Sequence, residues 1–115
     1  MRLRLLALIL LLLPLPAAAF QRVEDPGAFA QMVVGRNLSR TGIRLTVLPD
    51  GRIEGRALGW TVTGDWRWAE GYFCRTMDWS GYPIPFNCMV VLANDRSVRF
   101  IADRGNGDSA DFRFR

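Results

Sequence analysis

The chemically capable residues of this 115-residue chain crowd into one stretch. Positions 60–88 hold all four tryptophans (Trp60, Trp66, Trp68, Trp79) together with Tyr72, Phe73, Tyr82 and Phe86. The acids Asp65, Glu70 and Asp78 and both cysteines, Cys74 and Cys88, lie in the same stretch. Aromatic faces beside arginines can stack on and anchor a flat ligand such as a sugar or a peptidoglycan fragment. Arg67 and Arg75 would be the polar anchors here, and Trp79 and Tyr82 flank Gly81, where a tight turn leaves large side chains little sheet to cover them. Trp66 and Trp68 instead alternate with Asp65 and Arg67, the pattern of a strand with one face in the core. Paired carboxylates could do acid–base hydrolysis, which would require Asp65, Glu70 and Asp78 to converge in space.

Other chemistry is closed off by composition. All fifteen basic residues are arginine, and the chain has neither lysine nor histidine. A Ser-His-Asp or Cys-His nucleophile, a histidine metal site, a lysine Schiff base and a P-loop each lack a required residue. Asp103-Arg104-Gly105-Asn106-Gly107-Asp108 has oxygen donors at calcium-loop spacing but lacks the distal bidentate acid and flanking helices, so it reads as a turn with no metal. Gly105, Gly107 and Ala110 match the spacing of a dinucleotide fingerprint, yet the residues that follow alternate as a strand where a helix is needed. No cofactor is implied. Asn37-Leu38-Ser39 is a formal glycosylation sequon without further support.

The first nineteen residues read as a targeting segment. Met1-Arg2-Leu3-Arg4 is basic, Leu5 to Leu13 is an unbroken apolar run, and Pro14-Leu15-Pro16 precedes Ala17-Ala18-Ala19. That order is a secretory signal peptide cleaved after Ala19, and the run is too short for a membrane span of about 20 residues. The expectation is a bacterial periplasmic or secreted protein, with no membrane association after cleavage. Removing 19 of 115 residues leaves 96, a single domain over 20–115. Thirteen arginines and eleven acids then leave a charge of only +2, with the arginines dispersed among acids. Nucleic acid, which needs a clustered basic face, is not an expected partner.

The elements that must position these residues are mostly strands. Asp25-Pro26 predicts a helix start, with Asp25 as N-cap, and Phe29, Met32 and Val33 form one apolar stripe before Gly35, giving a short helix near 26–34. From residue 42 the period becomes two. Strands are expected at 43–47, 52–58, 60–69 (bent at Gly64), 72–79, 87–92 and 97–102, with a last one carrying Phe112 and Phe114 inward. Six or seven short strands joined by tight turns predict a mainly β domain with one N-terminal helix: an antiparallel meander, barrel-like or strongly curved, with the helix on an opening or a sheet face.

Two cysteines in an exported chain predict a Cys74–Cys88 disulfide. Hairpin pairing centred on Gly81, with a Ser80–Pro83 loop, would set them directly opposite each other. The stretch Gly64-Asp65-Trp66-Arg67-Trp68-Ala69-Glu70-Gly71-Tyr72-Phe73-Cys74-Arg75, with Cys88 and Arg99-Phe100-Ile101-Ala102-Asp103-Arg104-Gly105, resembles a family of small exported bacterial proteins of unknown function. The similarity runs over most of the chain after residue 19. Members of that family often carry the label dihydrodipicolinate reductase. The activity in that label implies a Rossmann fingerprint with catalytic histidine and lysine, which this chain does not contain.

The functional expectation is a non-catalytic domain that binds an envelope ligand or protein through Trp79, Tyr82, Arg75 and Arg67. A structural envelope role and an acid-only hydrolase are the alternatives. Mass analysis of the exported protein should find Phe20 at its N-terminus; an intact Met1 would overturn the signal-peptide reading.

Overall fold

The computed structural model describes residues 19–115, so the signal segment expected over 1–19 falls outside the described residues but for Ala19. In chain order the elements are β1 (Gln21–Val23), α1 (Pro26–Met32), β2 (Asn37–Arg40), β3 (Ile43–Val47), β4 (Arg52–Ala57), β5 (Trp60–Ala69), β6 (Tyr72–Trp79), β7 (Tyr82–Ala93), β8 (Ser97–Ile101) and β9 (Ser109–Phe114). Each strand from β2 to β9 pairs antiparallel with the next, and β9 returns to β2. Eight strands therefore close into an up-and-down barrel. β1 adds to Val91–Ala93 of β7, beyond the point where pairing with β6 stops.

β1 and β2 were not expected, and β7 is longer than expected. β2 has one apolar residue, Leu38, flanked by Asn37 and Ser39, so no alternation announces it. It nevertheless closes the ring, Leu38 lying opposite Phe114 and Ser39 opposite Arg113. The expected strand at 87–92 is also much longer. β7 begins at Tyr82, and the turn is only Ser80-Gly81, both with positive φ (47° and 94°). Pro83 and Pro85 suggest a loop, but this half of β7 pairs with β6 alone, and prolines are tolerated where one strand edge is free.

The hairpin pairs Trp79 with Tyr82 and Met77 with Ile84, so its centre falls between Ser80 and Gly81. Between Arg75–Asn87 and Met77–Ile84, β6 contributes Thr76 while β7 contributes Pro85 and Phe86. That extra residue is a β-bulge, and it shifts the register by one to bring Cys74 opposite Cys88. The disulfide forms there, with Cα atoms 3.9 Å apart.

Strand parity decides what lies inside. Phe73, Met77 and Met89 face the interior with Val47, Ile53, Phe100 and Phe112. The connections at β3–β4, β5–β6 and β7–β8 gather at one end with α1, and those at β2–β3, β4–β5, β6–β7 and β8–β9 gather at the other. α1 closes the first end. Asp25 Oδ1 accepts from Ala28 N at 2.9 Å, capping the helix as expected, and the helix ends at Met32, two residues short of expectation. Phe29 is fully buried, with its ring centroid 5.4, 4.9 and 5.2 Å from Trp66, Trp68 and Phe73. Phe73 contacts Phe100, which contacts Phe112, so aromatic packing runs from the plug into the barrel.

The disulfide spans 14 positions between barrel strands, which by chain entropy is worth about 3 kcal/mol. The double variant Cys74→Ala/Cys88→Ala should lose about 2–4 kcal/mol in urea unfolding. An unchanged midpoint would show that the bond contributes nothing to stability.

Candidate functional site

The barrel is not filled from end to end. Beyond the Phe29 plug, a cavity of about 260 Å³ lies among Leu38, Leu45, Val47, Ile53, Phe73, Met77, Met89, Phe100, Ala110 and Phe112. Ala102 and Asp108 of the β8–β9 connection and Ser109 at the start of β9 complete its lining. Here β7 has left β8, and the connection covers the gap. Asn87 Nδ2 donates to Asp103 Oδ1 at 2.8 Å, and Asp103 N donates to Asn87 Oδ1 at 2.9 Å. This reciprocal pair pins the connection to β7.

Among the described residues one basic side chain lines the cavity. Arg75 sits between Phe73 and Met77 on the inward face of β6, and its Nη1 donates to Pro85 O, at the bulge, at 2.8 Å. Among the described residues no carboxylate pairs with it within 4 Å. Burial lowers its pKa below the ordinary arginine value, because the charged form is partly stripped of water. Arginine titrates so high that it keeps its charge at neutral pH.

The four residues expected to form one binding surface separate. Arg67 lies opposite Cys74 on the outer face of the sheet, its guanidinium 5.4 Å from the Phe86 ring centroid, whereas Arg75 points inward. Trp79 and Tyr82 face each other at the β6–β7 tip, beside Trp60 and Ser80. Tyr82 is 69% exposed, as are Leu58 (69%) and Trp60 (63%) at the neighbouring β4–β5 tip. Trp79 differs. It is half-buried, and its Nε1 donates to Ala57 O at 3.0 Å, tying the two tips together.

The acids do not converge either. Asp65 is exposed on β5, Glu70 lies in the β5–β6 turn at the plugged end, and Asp78 accepts from Gly81 N at the opposite tip. Gly105 and Gly107 lie in the β8–β9 connection and lead into a strand, so the fingerprint spacing opens no helix. Among the described residues, no three His, Cys, Asp or Glu side chains are grouped to hold a metal. The cavity itself was missed by the sequence reading. Its signal was present in the alternation of Leu45 with Val47 and of Phe112 with Phe114, but alternation cannot say whether facing residues meet or leave a space.

Comparison with family models, curated proteins and solved structures finds no match to this chain.

The tip geometry makes a graded prediction. Tyr82→Ala should change stability little. Trp79→Ala loses packing and a hydrogen bond and should cost about 1–2 kcal/mol. Trp66 packs on Phe29 and donates Nε1 to Leu48 O at 2.8 Å, so Trp66→Ala should cost about 3–5 kcal/mol. Chemical denaturation checks the order, and a Tyr82→Ala loss as large as that of Trp66→Ala would make the tip part of the core.

Proposed function

We propose that this chain is an exported, non-catalytic binding protein whose barrel holds a small apolar molecule. The observation that carries this reading is the cavity. Apolar side chains from every ring strand but β5 border unfilled space, although close packing is the rule in protein interiors and a void forfeits contacts. Small eight-stranded barrels are wide enough either to be filled by side chains or to hold one small ligand. An engineered apolar cavity of about 150 Å³ takes up benzene, so 260 Å³ suits a molecule somewhat larger. The disulfide and the signal-like N-terminal segment support an oxidising, extracytoplasmic location.

The exposed Leu58, Trp60 and Tyr82 favour a second reading, a protein partner docked on the hairpin tips. The two readings part in one experiment. A ligand that binds only the folded state raises the melting temperature, so 1-octanol should raise it for the purified exported protein. Ala110 lies on the cavity wall opposite Phe100, and Ala110→Phe should abolish the rise by filling the space. Trp60→Ser and Tyr82→Ser should leave it intact. No shift with 1-octanol, or a shift that survives Ala110→Phe, would overturn the cavity reading.

A further inference from the structure

We infer that the occupant of the barrel is a monocarboxylate: an apolar body in the cavity with its carboxylate on Arg75. This rests on the cavity reading above and adds the chemical class of the ligand. Three observations carry it. First, Arg75 is the one basic residue on the cavity wall among the described residues, placed there by strand parity between Phe73 and Met77. Second, its guanidinium is only partly satisfied. Nη1 donates to Pro85 O, while Nε and Nη2 donate to no group among the described residues. Those two nitrogens form the planar edge that takes a carboxylate through two parallel hydrogen bonds. A half-buried charge without a counter-ion is costly, and an incoming carboxylate removes that cost.

Third, Arg75 and Arg99 are the described arginines that are not exposed, and Arg99 is already paired with Asp111. Arg52 is paired with Asp50, and Arg67 lies outside over Phe86. Asp108 also reaches the cavity, but it is an exposed rim residue outside ion-pair distance of Arg75. Water screens its charge, whereas the field of Arg75 acts across an apolar space. One guanidinium on the cavity wall fits one negative charge. The apolar walls fit a chain of about eight carbons or one aromatic ring, by comparison with the cavity of about 150 Å³ that holds benzene.

The test compares probes of matched length that differ in the head group, octanoate and 1-octanol, by calorimetric titration of the exported protein and its variants. In a wholly apolar cavity the alcohol would win, because the carboxylate must leave water. With Arg75 as its partner, octanoate should bind at least about tenfold more tightly than 1-octanol. Arg75→Gln should remove that preference and leave 1-octanol binding within about threefold, which also reports that the variant barrel is folded. Arg75→Lys keeps the charge but loses the fork and should fall between the two; it decides the matter if Arg75→Gln does not fold. Equal binding of the two probes by the unaltered protein, or a preference that persists in Arg75→Gln, would overturn the carboxylate assignment and leave the cavity reading standing. Binding of neither probe would remove both.

Discussion

Two residue pairs, Leu38 with Phe114 and Ser39 with Arg113, turn a curved eight-stranded sheet into a closed barrel. Without them β2 and β9 would be open edges, each with a row of unpaired backbone groups. The junction is short and is reinforced from both sides. Arg115 N donates to Asn37 O at 2.9 Å, and the Arg36 guanidinium lies 3.9 Å from the Phe114 ring centroid. Closure creates an inside, and the aromatic core, the cavity and the burial of Arg75 exist only because there is one.

Closing so small a ring requires backbones to come close together. Gly55 and Gly64 lie on the inward-facing register of β4 and β5, and a Cβ on either would fall 2.0 Å from Arg44 O or 2.4 Å from Thr76 O. The bare backbone lets neighbouring strands coil tightly at those points. The same constraint sets the division of the interior. At one end α1 inserts Phe29 among Trp66, Trp68 and Phe73, filling the space with rings. Among the described residues no α-helix fills the other end; there the β8–β9 connection is held over the gap by Asn87 and Asp103, and space remains.

The bulge at Pro85 and Phe86 links the structural and chemical features of the molecule. One extra residue in β7 aligns Cys88 with Cys74 on the outer face. It also presents Pro85 O to the Arg75 guanidinium. The disulfide therefore sits one residue from Arg75, with the crosslink on one side of the sheet and the charged group on the other. In a chain whose basic residues are all arginine, every cation brings a planar fork. What distinguishes Arg75 is partial burial without a carboxylate partner among the described residues, a consequence of its place on β6.

Much of the fold was legible in the residues. The Asp25 cap, the period-two alternation and the turn residues are local signals, and each follows from backbone geometry within a few positions. The cysteine pair was legible too, although the expected centring on Gly81 reaches the right partners only because the bulge makes up for a turn centred half a residue earlier. Closure was not legible, because β2 carries one apolar residue and is a strand only through its neighbours on both sides. The separation of Arg67 from Arg75 was not legible either. They are eight positions apart on adjacent antiparallel strands, and which face each takes depends on the register between β5 and β6. Local sequence thus determined most of the strands, most of the turns and which residues within a strand share a face. Only the tertiary structure decided which faces meet across the barrel and where they fail to fill it, because register, closure and cavity volume depend on contacts between residues far apart in the chain.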